Sequence, residues 1–357
     1  MHGLDSRQSM TAERTAVLID GGVPQPDRDG GSRAVADLLQ SFAELEWQCD
    51  LLALDDQDSQ RVAERLLDPP WSLVVVSRPG PASRLLSSIR TCPRPTIYLG
   101  HDLHHLRIER GDGKASVASR AMAMLERACW KAFDVSAYPV PSERDQVASS
   151  VGSRRAATLP YFRTSPVSSP PLKERSGLIF VGSSAHAPNR AGLLWFFDSV
   201  WPRVLERNPS VMLTLVGAWW DLHDQSNVQV AGNVSDQELD QLVAHARVAV
   251  APLTFGAGMK AKMVCYLSAS TPAVGTSEAW AGLALPDQCA ARDSGEEFAD
   301  EILRLLTDDE AWHRGHAAAS RIARDLTGER QVLALSSVIE QAVDVHVRGL
   351  RVVHEEQ

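Results

Sequence analysis

No window of the chain approaches the ~20 consecutive apolar residues that a membrane span requires, so a transmembrane helix is excluded. Lysine is scarce: Lys114, Lys131, Lys173, Lys260 and Lys262 are the whole set. Cysteine is scarce too. Cys49, Cys92, Cys129, Cys265 and Cys289 are odd in number, scattered and without metal-ligand spacing, which points to reduced thiols rather than a disulfide framework. No excess of positive charge is present. The net charge is −9, which argues against nucleic acid as the main partner. The first fourteen residues are too polar for a secretory leader, and a cytoplasmic location is expected.

What remains is a chain of 357 residues, 44% hydrophobic and 23% charged, long enough for two globular domains. Ala16-Val17-Leu18-Ile19-Asp20 has the continuous apolar character of a buried strand. A turn-rich loop to Ser32 follows, and Ser32 or Asp29 is placed to cap a helix carrying Val35, Leu38, Leu39, Phe42 and Leu45. Strands over 49–54, 73–77 and 96–100 alternate with helices near 59–67 and 82–90. That order predicts a parallel sheet covered on both faces. Ligands of such sheets bind beyond the carboxyl ends of the strands, where Gly30, Gly31, His101 and Asp102 fall. A helix over 116–133 and a strand over 135–139 complete this half. Pro160, Pro166, Pro170 and Pro171 then mark a linker.

The pattern restarts at Gly177. Strands are expected over 178–182, 211–217, 228–232, 248–252, 272–275 and 283–285, with helices over 192–208, 236–245, 295–306, 309–326 and 330–348. Domains of 1–165 and 166–327 follow, with 328–357 a helix returning to the first. Within the second half, the stretch Ala249 to Lys262 reads as strand, glycine loop and helix start. Such a loop lets backbone approach a ligand, and the helix N-terminus offers free N–H groups and a positive dipole end. Lys260 and Lys262 add charge, so a phosphate or pyrophosphate is the natural guest.

Phe180-Val181-Gly182-Ser183 with Pro188-Asn189, Leu213 to Gly217, Val230 to Asp236, Ala249 to Leu253 and Phe255 to Lys262 form an ordered set, extended by Thr271 to Val274 and Ala281 to Leu283. This set resembles the retaining glycosyltransferases of the GT-B fold, glycosyltransferase family 4 (glycosyl transferases group 1). The resemblance implies two Rossmann-like parallel-sheet domains facing a central cleft, with a sugar nucleotide on the C-terminal side and the acceptor on the N-terminal side. By it, Gly182, Ser183, Gly232, Asn233 and Val234 lie on the donor, the last three at the base. Gly256, Ala257, Gly258 and Met259 present the loop to the diphosphate, which Lys260 or Lys262 neutralises. Gly30 and Gly31 approach donor or acceptor, and His101 lies near the reacting sugar. The family commonly brackets the loop with two glutamates. Ala257 and Cys265 stand there in this chain, Cys265 at the position that usually bonds the ribose.

Transfer at an anomeric carbon needs stabilisation of a departing diphosphate, which preorganised donors and cations supply. In the retaining reaction that the resemblance implies, a leaving phosphate oxygen takes the acceptor proton. No carboxylate base is then required, and no metal or other cofactor is expected. The histidines of His101-Asp102-Leu103-His104-His105 lack a partner of ligand spacing, which favours structural roles for His104 and His105. Trp195 and Trp201 are expected in the core, Trp219-Trp220 at the cleft or an interface, and Trp280 beside the sugar pocket. The donor could be a UDP-, GDP- or dTDP-sugar. The acceptor could be a glycan, lipid-linked molecule, natural product or protein, and peripheral membrane contact stays open. The replacement of the ribose glutamate motivates a second reading, a catalytically silent module partnering an active transferase.

Overall fold

The computed structural model describes residues 14–25, 30–54, 59–219, 225–283 and 291–355. Six parallel strands form the first sheet in the order β2-β1-β3-β4-β5-β6: β1 (Thr15–Asp20), β2 (Gln48–Ala53), β3 (Leu73–Ser77), β4 (Thr96–Leu99), β5 (Val135–Tyr138) and β6 (Ala156–Thr158). Five form the second in the order β11-β10-β7-β8-β9: β7 (Ser176–Val181), β8 (Leu213–Val216), β9 (Val228–Gly232), β10 (Ala246–Ala251) and β11 (Ala273–Gly275). The connecting helices of the first half are α1 (Gly30–Glu44), α2 (Ser59–Arg65), α3 (Pro79–Arg90), α4 (His104–Asp112), α5 (Val117–Ala132) and α6 (Pro141–Val151). Those of the second are α7 (Ala187–Ser199), α8 (Trp201–Arg207), α9 (Asp236–His245), α10 (Ala261–Ser268), α11 (Gly295–Thr307), α12 (Asp309–Ala323) and α13 (Gly328–Glu355).

The apolar strand runs sit in the middle of the layers, as two-sided burial requires. Ala16 to Ile19 and Val74 to Val76 are at most 1% exposed. One face of the first sheet is covered by α1 and α13, through Leu38 and Phe42 on one helix and Leu335 and Val338 on the other. The opposite face is covered by α2, α3, α5 and α6. Each fully buried Leu, Ile or Phe contributes about 1.5–3 kcal/mol. Helix α13 packs on β4, β5 and β6, and Gln331 ties it to Ser41 of α1 and to the Pro160 carbonyl.

Several boundaries differ from the sequence reading, each for a physical reason. The helix over 192–208 is two helices, because Pro202 cannot donate to the preceding turn and restarts the helix after Val200. The expected helix over 116–133 is preceded by another, α4, whose polar sequence gives almost no apolar periodicity. It stops at Gly113 in the left-handed conformation, φ 67°. Three residues of β6 pair inside the stretch after α6, too short for a strand pattern to show. Leu283 lies in a turn rather than a strand, while 284 and 285 lie outside the described residues. Helix α1 begins at Gly30, so Ser32 is a buried residue of its first turn and not its cap. Asp29, the other candidate cap, lies outside the described residues, as does Trp220. Trp219 is 3% exposed, stacked edge-on against Phe180 and donating to the Gly182 carbonyl at 2.6 Å, so it belongs to the core. Trp280 is buried in the core as well.

Candidate functional site

The first wall of the cleft is built at the end of β4. A side chain on Gly100 would lie 2.0 Å from the Tyr138 ring, so only glycine lets the chain turn there. The next residue, His101, takes φ 37°, a left-handed conformation uncommon outside glycine. Its Nε2 lies 2.7 Å from the Ser77 hydroxyl and its ring meets Tyr161 edge-on at 4.9 Å. Burial pushes the imidazole down to about 3, helped by Arg78, so it stands neutral near pH 7. His104 is directed elsewhere: its Nδ1 is 2.7 Å from Asp102 Oδ1. His105 meets the buried Glu126 at 2.5 Å, and Glu126 also accepts the backbone N–H of His104. These two histidines are thus partnered by carboxylates at the start of α4. No group of three or more His, Cys, Asp or Glu is arranged to hold a metal among the described residues.

The second wall is the loop between β10 and α10. Gly258 takes φ 70°, and a side chain on it would stand 2.8 Å from the His101 carbonyl and 2.9 Å from Asp102 Cβ. The glycine loop of one domain therefore rests directly on the histidine turn of the other. Gly258→Ala is expected to lose roughly 2–4 kcal/mol of stability, from the left-handed backbone and the steric clash together. A urea unfolding midpoint equal to wild type would contradict that close approach.

Two carboxylates hold this loop in place. Glu143, in the first turn of α6, accepts the Gly258 N–H at 2.8 Å through Oε1, while its buried Oε2 has no hydrogen-bond partner among the described residues. Burial pushes this carboxyl up to about 7; the Gly258 bond opposes the shift and Asp102 adds to it. Glu278 accepts Lys260 Nζ at 2.7 Å on one oxygen and Arg110 of α4 at 2.9 Å on the other. Arg110 also donates to the Gly256 carbonyl at 2.7 Å. Lys260 adds bonds to the Ala257 and Gly258 carbonyls at 3.2 and 2.7 Å.

Lys262 points the other way, beneath the loop that follows β7. Its ammonium donates to Asn189 Oδ1 at 2.6 Å and lies 3.9 Å from the centre of the Phe180 ring. A side chain on Gly182 would sit 3.1 Å from that Nζ. Burial pushes the Lys262 ammonium well down, and nearby Lys260 adds to the shift. Ser183 joins the same corner, its carbonyl accepting Asn189 Nδ2 at 3.1 Å. Gly30 closes the cleft from α1, since a side chain there would meet Ala261 Cβ at 2.7 Å. The N-terminal turns of α1, which holds Gly30 and Gly31, and of α10 thus meet across the cleft.

The sequence-derived residues fall into two groups. His101, Gly30, Gly31, Gly256, Ala257, Gly258, Lys260, Lys262, Gly182 and Ser183 converge on the cleft, whereas Met259 is a buried core residue beside them. Gly232 (φ 75°), exposed Asn233 and Val234 form the turn after β9. Cys265 is half-buried on α10 and its thiol is pushed up to about 12 by burial, with Asp240 and Asp236 adding to it. A neutral thiol therefore stands where the resemblance expects a carboxylate, and Asp236 of α9 pairs with Arg33 of α1 nearby. Glu143, Glu278 and Arg110 were not singled out from the sequence, and Asp236 entered only as the last residue of the motif after β9. Their partners lie from 18 to 203 residues away along the chain, so no local spacing marks them.

Two parallel α/β domains with a glycine loop facing the opposite sheet's strand ends define the GT-B architecture. Residues 175–308 match the family model described as Glycosyl transferases group 1. In three dimensions the chain is similar to the Anabaena protein HepE, solved in complex with UDP and glucose. The likeness has a TM-score of 0.67 at 11% identity and covers 91% of this chain and 99% of that one. Sucrose-phosphate synthase from Thermosynechococcus elongatus gives a TM-score of 0.67 at 12% identity, over 93% and 100% of the two chains. In sequence, 96 residues are 27% identical to an uncharacterized 44.6 kDa protein in the cps region of Klebsiella pneumoniae. That match covers 24% of this chain, which spans about a quarter of the relative's length (25%). The fold is the one expected from the sequence. Among the described residues no helix is long and apolar enough to cross a membrane.

Proposed function

We propose that the protein transfers a sugar, a hexose in our reading, from a nucleoside diphosphate donor to an acceptor hydroxyl, with retention and without a metal or other cofactor. The observation that carries this reading is the meeting of the Gly256–Lys260 loop and the α10 N-terminus with the neutral His101 across the cleft of a GT-B fold. UDP and glucose in the similar HepE support a nucleotide sugar as donor. The α10 N-terminus and the two lysines bind and neutralise the diphosphate, giving a built electrostatic sink for the leaving group. His101, neutral and held by Ser77, offers a hydrogen bond toward the reacting sugar rather than a charge. The backbone turn at Gly232, Asn233 and Val234 takes the base. Nothing in the relatives points toward a silent partner module.

Calorimetry against UDP, GDP and dTDP tests donor binding, and mass spectrometry of nucleotide retained by the purified protein identifies the base. His101→Ala is expected to lower turnover by about 10²–10³-fold with a small change in donor affinity. A product analysed by NMR with the donor's anomeric configuration, formed undiminished in a chelator, is the further expectation. An inverted product, activity abolished by chelation, or no affinity for any of the three nucleotides would overturn the corresponding part.

A further inference from the structure

Helices α3 and α5 lie side by side on the outer face of the first sheet. On α5, Val117, Arg120, Met124, Arg127 and Lys131 recur at spacings of three, four and seven, which places them on one stripe. Every one of these side chains is exposed, Val117 by 77% and Met124 by 72%. The single acid of α5, Glu126, is wholly buried beneath His105. Helix α3 contains no acid, and none occurs from Pro79 to His101. Arg90 and Arg94 are exposed there. None of Arg90, Arg94, Arg120, Arg127 and Lys131 engages a carboxylate among the described residues, although the Lys131 carbonyl accepts Arg155 at 3.1 Å. Among the described residues acids stand at the margins: Glu64 of α2 and Asp68 after it on the α3 side, Glu109 and Asp112 on α4, and Asp145 paired with Arg144 on α6. In a chain of net charge −9, one face is cationic and carries two large exposed apolar side chains, Val117 at the start of α5 and Met124 at its centre.

We infer that this α3–α5 face docks on an anionic lipid surface. The cations match lipid phosphates, and Val117 and Met124 enter the boundary between headgroups and acyl chains. Long Arg and Lys stems lie along such a boundary with their charged ends in water. A nucleic acid would use the charge but has no place for Val117 and Met124, and the net negative charge of the molecule opposes it. The position of the face also fits the proposed transfer reaction, on which this clause alone rests. A cavity of about 470 Å³ opens between α4 and Thr254-Phe255, lined by Leu106, Arg110 and Lys114. Lys114 stands three residues before Val117, in the loop joining α4 to α5, so a lipid surface docked at Val117 lies beside one wall of that cavity.

Sedimentation of the full chain with vesicles tests the inference without donor or acceptor. Wild type is expected to sediment with vesicles of phosphatidylglycerol in phosphatidylcholine at about 0.1 M salt, to stay in solution with phosphatidylcholine alone, and to be released by high salt. Each cation near an anionic surface strengthens partition about fivefold, so the triple variant Arg120→Gln, Arg127→Gln, Lys131→Gln should lose about a hundredfold. Met124→Ser should lose several-fold. Unchanged circular dichroism and melting establish that the variants fold. Absence of wild-type sedimentation, or a triple variant that partitions as wild type does, overturns the inference. So does a DNA duplex that binds as tightly as the vesicles while Met124→Ser changes neither. Because no sugar nucleotide enters the assay, these outcomes stand apart from success or failure of the transferase reading.

Discussion

The double variant Lys260→Ala, Lys262→Ala is expected to bind a nucleoside diphosphate about 10²–10⁴-fold more weakly than wild type, at about 1.5–3 kcal/mol for each charge-assisted bond. Each ammonium is presently held by a protein oxygen: Lys260 by Glu278, Lys262 by Asn189. Neither partner is a match for a diphosphate. Asn189 is neutral, and Glu278 is shared with Arg110. Lys262 matters more, because burial pushes its ammonium well down and only an incoming anion restores a full counter-charge. Lys262→Ala alone leaves a pocket over Phe180 and removes the donor to Asn189 Oδ1, so its loss should exceed that of Lys260→Ala. Calorimetry with UDP, GDP and dTDP at matched salt measures this. Affinity equal to wild type for all three would remove the phosphate assignment from this loop.

Glu143→Gln is expected to raise stability at pH 8 and to flatten its dependence on pH. The folded carboxyl is raised from 4.5 to about 7, so between those values the folded state holds a proton that the unfolded chain has released. Stability therefore falls as pH rises through that window, by on the order of 3 kcal/mol in full. Glutamine keeps an oxygen for the Gly258 N–H and removes the charge, so that loss disappears. Asp37, raised to about 6 chiefly by burial, imposes a second fall of the same sign that Glu143→Gln leaves in place. Denaturant titrations at pH 5 and pH 8 separate the two. The same variant should alter donor binding. Glu143 occupies the amide that the reading assigns to the diphosphate, so wild type should take up a proton on binding near neutral pH and the variant should not. Calorimetry in buffers of different ionisation enthalpy reads that proton, and equal slopes would contradict the shared amide.

Much of the fold could be read in one dimension because its causes are local. The apolar runs at Ala16–Ile19 and Val248–Ala251 have no polar alternation, which permits only a strand covered on both faces. Helices with a wet face, such as α1, show their spacing openly. The polar α4 and the three-residue β6 carry no such signal, and the break at Val200 depends on a single proline within an otherwise continuous helical pattern. The glycine loop was legible for the same local reason: glycines before a helix start, with two of only five lysines beside them.

What the chain by itself determined is therefore the set of groups able to meet an anion, namely Gly256, Gly258, Lys260, Lys262 and the α10 N-terminus. Only the tertiary structure decided what those groups meet. The two lysines, two residues apart, diverge because Lys260 stands outside the first helical turn, at the N-cap, while Lys262 is inside it. One reaches Glu278 at the cleft and the other reaches Asn189 beneath β7. Gly258 meets His101 and Glu143 because both lie at the carboxyl ends of strands β4 and β5 of the opposite sheet. A parallel sheet gathers such ends on one edge, whatever their distance in sequence.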